Sequence, residues 1–329
     1  VLFNSRKNIL GIDIGYESVK IVSLSFSGTK ISSLRATEIP IKERLFSKEK
    51  FTNLAEAANL IKEGCRKADI KITPSTKVIT TLPESFVFSK TLQLSKMPKN
   101  QLAKAVYNQA SDQLPIPLEK AYFDFQVLVD HPNEALMDIM IVAAPKVLVD
   151  DYVELSKILG IDLLALETKP IAAGRAILSQ ERKDKGILIC EIGTELSRIS
   201  IWDNKSIRVA TTVAIGKANL FEAMGGNDSK SPQINSANET NVLVPLTGII
   251  DEILNIIKYH KNRDYNPSDI TKIFICGSGG KIAGLDKLFK NELKIETEFF
   301  KFNYAQKSQI GPEFTVALGC ALRSGSEDL

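Results

Sequence analysis

The sequence predicts an α/β protein made of two duplicated β-β-β-α-type domains with a small α+β insertion in the first. Three observations carry this. A strand-turn-strand run from Leu10 to Lys20 (LGIDIGYESVK) recurs in altered form as CEIGTELS, from Cys190 to Ser197. In each copy an apolar strand, an acid, Ile, Gly and a polar turn lead into a second apolar strand, so the chain contains an approximate internal repeat. Between the copies lies a unit of different pattern, a strand, a helix stopped by Pro115-Ile116-Pro117, two strands and a helix.

Taken in order, Ile9, Leu10 and Ile12 form an apolar strand, and Gly15-Tyr16-Glu17-Ser18 turns the chain into a second strand with Val19, Ile21, Val22 and Leu24. Gly15 supplies either a positive φ or close backbone approach, so successive N–H groups can converge on an anion. Asp13, ahead of the turn, can face a cation that bridges the anion. Lys30 to Ile41 alternates as a third strand ended by Pro40. Phe51 to Ala68 carries Leu54, Ala57, Ala58 and Ile61 at helical spacing, with Thr52 or Asn53 as N-cap. Lys77 to Leu82 has the pattern of a buried strand.

The insertion is read from residue 85 to 160, with the first domain at 1–84 and 161–185 and the second at 186–329. Its first strand begins near Ser85. Lys99 to Leu114 is a helix with Leu102, Val106, Ala110 and Leu114 on one face. Strands Ala121 to Val129 and Ala135 to Pro145 flank the turn Asp130-His131-Pro132-Asn133, and a helix from Lys146 to Leu159 ends at Gly160 as a C′ glycine. Ile161 to Ser179 contains a helix with Pro170 near its first turn.

In the second domain the repeated hairpin is followed by a strand from Arg208 to Ile215. Gly225 to Asn241 is rich in Gly, Asn and Ser and reads as a loop. Pro245 to Lys261 is an amphipathic helix that feeds the strand Lys272 to Cys276, a glycine turn from Gly277 to Gly284, and a helix from near Leu285. Such a strand-turn-helix junction can place backbone against a ligand. It is not a P-loop, because Lys217 and Lys281 lack the following Ser or Thr that motif requires. A closing helix carries Ala317, Gly319 and Ala321, small enough for close packing.

Composition narrows the chemistry. The chain of 329 residues is 44% hydrophobic, and its 42 basic and 39 acidic residues are interspersed for a net charge of +3, with no basic stripe to suggest nucleic acid. The four cysteines, Cys65, Cys190, Cys276 and Cys320, are widely separated in apolar surroundings, as reduced buried thiols are. His131 and His260 are the two histidines, and neither lies in a zinc or catalytic-triad pattern. The sequence shows no uninterrupted apolar run of membrane-spanning length and ends in small and acidic residues, so attachment to a membrane is expected through a partner, without direct insertion.

Two related strand-turn-strand loops followed by a glycine-rich strand-to-helix turn resemble the layout of the actin-like ATPase superfamily. A closer resemblance, to the type IV pilus assembly protein PilM family, lies in the run LPESFVFSKTLQLSKMPKNQLAKAVYNQASDQLPIPLEKAYFDFQVL, with its Lys-Met-Pro turn, helix and Pro-hydrophobic-Pro stop. Gly277 to Leu285 (GSGGKIAGL) and FTVALGCALR are similar to that family's adenosine motif and closing helix. The more distantly related cell-division protein FtsA shares the insertion but commonly ends in an amphipathic membrane helix.

The resemblance implies an actin-like ATPase fold whose two hairpins clasp the phosphates of ATP or ADP with Mg2+. Asp13, Gly15 and Lys20, with the turn amides of Tyr16, Glu17 and Ser18, correspond to the first phosphate loop. Gly193, Thr194 and Ser197 correspond to the second, Gly277, Ser278, Gly279 and Gly280 border the adenosine, and Asp13 and Glu191 stand at the metal positions. The chain departs from the family at three of these. Tyr16 and Glu17 replace small residues, and a carboxylate there repels phosphate unless it points away or meets the cation. Glu191 replaces an Asp, displacing its carboxylate by about one C–C bond. These departures argue against efficient hydrolysis.

The implied role is a cytoplasmic scaffold, peripheral at the inner face of the membrane, in a type IV pilus or related secretion or competence machine. Its implied partners are the N-terminal cytoplasmic tail of a PilN-like bitopic membrane protein and other pilus-assembly proteins. The tail is expected in a groove between the insertion and the main body, with Lys99 to Leu114, Phe86 to Leu94 and Tyr122 to Val129 as candidate walls. An FtsA- or MreB-like filament former and a superfamily phosphotransferase, a sugar kinase or polyphosphate phosphatase, stand as alternatives.

Overall fold

The structure, a computed structural model, describes residues 8–28, 30–130, 135–181, 185–203, 206–226, 232–263, 267–304 and 308–323. In the first half, β1 (Asn8–Ile14), β2 (Ser18–Ser27) and β3 (Lys30–Pro40) form an antiparallel meander. A small hairpin, β4 (Phe46–Ser47) and β5 (Lys50–Phe51), precedes α1 (Leu54–Lys67) and β6 (Lys77–Thr81). The insertion supplies β7 (Phe88–Ser95), α2 (Lys99–Ser111), β8 (Ala121–Asp130) and β9 (Leu136–Pro145). Then come α3 (Lys146–Leu159), β10 (Asp162–Glu167) and α4 (Lys169–Leu178).

The second half contains β11 (Gly186–Ile192), β12 (Ser197–Asp203), β13 (Ser206–Val213), α5 (Lys217–Ala223) and α6 (Glu239–Arg263). It continues through β14 (Ile270–Cys276), α7 (Leu285–Leu293), β15 (Glu296–Phe299), a hairpin of β16 (Phe302–Tyr304) and β17 (Ser308–Ile310), and α8 (Thr315–Leu322).

The two halves carry the same sheet. The strand orders are β3-β2-β1-β6-β10 and β13-β12-β11-β14-β15, each with three antiparallel strands followed by two added in parallel. The duplication legible in the hairpins therefore extends across both sheets. The fifth strands, β10 and β15, escape sequence reading. Both are short edge strands with several partly or fully exposed side chains, so neither needs an apolar run to hold it.

Helices fill the spaces between and outside the sheets. On the outer face of the first sheet, α1 and α3 bury Ala57, Ile61, Tyr152 and Leu155 with Leu10, Ile12 and Ile21. On the outer face of the second, α6 and α7 bury Ile249, Ile253, Leu285 and Phe289 with Leu188 and Ile199. Between the sheets lie α4 and α8, whose alanines pack with Ile9 and Val22 on one side and Ile189, Trp202 and Phe274 on the other. Small residues permit this: a Cβ at Gly11 would collide with the Ala317 carbonyl, and one at Gly319 with that of Ala172.

Local signals place several boundaries. Asn53 is the N-cap of α1, its Oδ1 accepting from the Glu56 N–H at 3.0 Å. Gly160 closes α3 at φ 65°. Helix α6, in contrast, begins at Glu239, before Pro245. The apolar stripe Val242, Leu246, Ile249 continues through the proline against the second sheet, and burial outweighs the one backbone hydrogen bond lost. The expected loop is thus shortened. Its residues 227–231, like 131–133 of the expected insertion turn, lie outside the described residues.

By length and composition α6 could cross a membrane. Its buried isoleucines pack one face of it against the second sheet.

The insertion's own core is formed by Leu92, Leu102, Val106, Ala110, Met137, Ile139 and Ile141, under a sheet ordered β7-β9-β8. Helix α3, grouped with the insertion on sequence grounds, places Leu148, Tyr152, Leu155 and Leu159 in the first sheet's core.

Candidate functional site

The two hairpin turns are built alike. Gly15 N–H donates to the Ser18 carbonyl at 3.0 Å, and Gly193 N–H donates to that of Leu196 at 3.0 Å. Of the two roles open to Gly15, the structure selects close approach. Neither glycine has a positive φ, and an added Cβ would lie 3.1 Å from Ser18 O at the first and 2.8 Å from Leu196 O at the second. Strand register sets Asp13 opposite Lys20 and Glu191 opposite Arg198, so an acid faces a base across each hairpin.

The turns line one cleft between the halves. Asp13, Gly15, Tyr16, Glu17, Lys20, Glu191, Gly193, Thr194, Gly277 and Ser278 border it. The other expected residues stand back from it. Ser18 Oγ donates to Glu38 at 2.7 Å and accepts from Lys20 at 2.9 Å. Ser197 is fully buried and donates to the Ile215 carbonyl at 2.6 Å. Gly279 packs so closely on Ile192 that a Cβ would clash, and a Cβ at Gly280 would lie 2.6 Å from Pro312 Cγ. Gly277 combines a φ of 80° with an N–H donating to the Pro312 carbonyl at 2.9 Å. Much of the glycine turn is therefore accounted for by protein packing.

The floor of the cleft is a cluster of paired charges. Lys169 Nζ, from the first turn of α4, donates to Asp13 Oδ1 at 2.6 Å, and both side chains are 6% exposed. Thr81 Oγ1 donates to the same oxygen at 3.3 Å. Arg198 Nη1 donates to Glu191 Oε1 at 3.1 Å, again with both side chains 6% exposed. Glu84, at the root of the insertion, accepts from the Lys169 N–H at 3.3 Å, and its Oε2 lies 3.9 Å from Arg198 Nε. Tyr16 and Ser85 hydroxyls meet at 2.7 Å, a second tie between turn and root.

Burial pushes the Asp13 carboxyl up, but the charges of Lys169 and Lys20 and the Lys169 hydrogen bond outweigh it and hold it below its ordinary range. Burial raises the Glu84 carboxyl, and Arg198 offsets this only in part.

Above the floor, three ion pairs cross from one half to the other. Glu17, at the tip of the first turn, pairs with Lys217 at the start of α5. Glu195, at the tip of the second, pairs with Arg44, and Glu38 pairs with Lys281 at 2.6 Å. The first amides of α5 are also engaged: Lys217 N–H donates to Gly193 O at 2.7 Å and Ala218 N–H to Thr194 O at 2.9 Å. The space that water can reach in the cleft is ≈ 30 Å³, room for ordered water.

Magnesium in such a site is held by one or two carboxylates, directly or through its waters, together with phosphate oxygens, and its double charge needs an anionic surrounding. Here one oxygen of Asp13 and one of Glu191 are each taken by a buried cation, whose charge repels a dication. Among the described residues no group of three or more His, Cys, Asp or Glu gathers to hold a metal. The donor set in this arrangement does not fit the ion expected at Asp13 and Glu191.

Sequence reading missed Lys169, Arg198 and Glu84. The repeat could have found Arg198, since it aligns with Lys20. Lys169 reaches Asp13 across 156 residues, a separation that no spacing rule registers.

Comparison with solved structures places the fold. The chain matches the PilM-PilN type IV pilus biogenesis complex with TM-score 0.79, at 22% identity over 96% of this chain and 98% of that one. It matches the ethanolamine utilization protein EutJ from Carboxydothermus hydrogenoformans with TM-score 0.53, at 14% identity over 95% and 88%. MreB 5 of Spiroplasma citri, bound to AMPPNP, matches with TM-score 0.50 at 11% identity over 95% and 94%. These likenesses show the actin-like ATPase fold. The profile of the type IV pilus assembly protein PilM covers residues 11–325, nearly the whole length, and the chain belongs to that family.

Proposed function

We propose that this chain is a cytoplasmic scaffold of a type IV pilus or related secretion or competence machine, binding the N-terminal cytoplasmic tail of a PilN-like bitopic membrane protein. Family membership carries the reading, and the likeness to a PilM-PilN complex supports it. In this reading the chain sits at the inner face of the membrane through its partner, alongside other pilus-assembly proteins.

The insertion is the surface best suited to the tail. Its strands β7 and β8 are both edges of a three-stranded sheet, and Tyr107, Tyr122 and Val127 expose apolar surface around them. Tyr107 stacks edge-on against Phe123 at 6.4 Å, and Tyr122 donates to Asp150 at 3.1 Å, so both rings are held in place before a partner arrives.

MreB 5, a fold relative, is bound to AMPPNP, which makes a nucleotide the ligand class to test at the cleft. In the family reading it would be ATP or ADP with Mg2+, held at the two turns. The residues at Asp13 and Glu191 do not fit the metal.

The test uses a fluorescent peptide copying the cytoplasmic N-terminus of the PilN-like protein from the same genome. Saturable binding to the full chain is expected, weakened by about tenfold or more in Tyr107→Ala/Tyr122→Ala. Absence of saturable binding to the wild-type chain overturns the proposal.

A further inference from the structure

We infer that Lys169 and Arg198 each occupy one cleft carboxylate where a metal would stand, while ion pairs across the cleft hold the two halves together, so that this chain closes on its own charges and without magnesium-nucleotide. Three independent features point this way. The two acids at the strand ends are each committed to a buried base, Asp13 to Lys169 at 2.6 Å and Glu191 to Arg198 at 3.1 Å. The turn tips carry carboxylates, Glu17 and Glu195, and each is tied to a cation from the opposite half, Lys217 and Arg44. Away from the turn tips, Glu38 of the first half is also paired with Lys281 of the second at 2.6 Å.

The charges balance locally. Glu191 Oε2 and Arg198 Nε remain buried without a hydrogen bond, and Arg198 Nε faces Glu84 Oε2 at 3.9 Å, so the guanidinium is held between two carboxylates by charge. A triphosphate entering this cleft would have to displace the cross-cleft pairs and lie against Glu17 and Glu195. Glu84 extends the same cluster to the insertion, because it touches Lys169 of the first half and Arg198 of the second. The insertion is thereby anchored to a cleft whose closure depends on built-in charge.

Two measurements on the full chain test this. Acid extracts of the purified protein are analysed for nucleotide by anion-exchange chromatography, and thermal unfolding is followed with millimolar magnesium-ATP, magnesium-ADP or magnesium chloride alone. No stoichiometric nucleotide and no magnesium-dependent rise in Tm are expected; either one overturns the inference. Hydrogen exchange then reads the clasp itself. Glu17→Lys should raise amide exchange at 193–196 and 217–220, and the charge swap Glu17→Lys/Lys217→Glu should restore it. Exchange unaltered by the single substitution, or unrestored by the swap, also overturns it.

Discussion

Asp13 and Lys169 form a pair whose members are each expensive to bury alone. Removing one partner leaves an uncompensated charge in low dielectric, whereas replacing both with apolar groups removes the desolvation penalty as well. Asp13→Ala is expected to lower stability by about 3–5 kcal/mol in urea unfolding, and Asp13→Leu/Lys169→Met to recover most of that loss. Glu38 gives a pH signature. Burial pushes its carboxyl up, but hydrogen bonds from Lys281 and Ser18 and the charge of Lys20 outweigh burial, so its folded pKa lies below the ordinary value. The stabilisation is complete above the unfolded glutamate pKa of about 4.3 and is lost as pH falls through the lower folded value. The Tm difference between wild type and Glu38→Gln should therefore be steady at neutral pH and shrink on the acid side.

Among the elements, α8 shows how backbone contact sets tolerance. Gly319 presses on the Ala172 carbonyl of α4, and backbone cannot rotate away as a side chain can. Gly319→Ala is expected to lower stability by about 1–3 kcal/mol or more. Gly64 in α1 is a useful contrast. A Cβ there would meet Ile21 Cδ1, a side-chain end that can shift, and Ile39 Cγ1, nearer its branch point, both at 2.9 Å and neither of them backbone, while alanine improves helix propensity by about 1 kcal/mol. Gly64→Ala should lower Tm less than Gly319→Ala, and thermal unfolding of the two variants side by side checks the distinction.

For the whole molecule, the division between insertion and body decides which truncation is informative. Phe88 and Ala143 are cross-strand partners, so the ends of 88–143 stand about 5 Å apart and a short glycine linker can replace that segment. The shortened chain is expected to unfold cooperatively by circular dichroism and to lose the tail peptide. The insertion also rests on β13, where Ser206 Oγ donates to the Leu128 carbonyl at 3.0 Å, so some stability is lost with it. Removing 85–160 instead takes α3 and strips Leu148, Tyr152, Leu155 and Leu159 from the first core, and that product should not fold.

The sequence by itself determined the repeated hairpins, most of the helices, the insertion and the cleft-lining turns. These rest on local patterns: strand alternation, helical spacing, capping residues and a tight glycine turn register within a few neighbours. Tertiary structure decided the fifth strand of each sheet, whose edge position needs no apolar run, and the start of α6, where burial overrides a proline. It also decided the partner of each cleft acid. Asp13 reads as a metal ligand only while nothing else reaches it, and Lys169 arrives from a helix 156 residues on. Charge pairing depends on distance in space, and only the fold brings those side chains within reach.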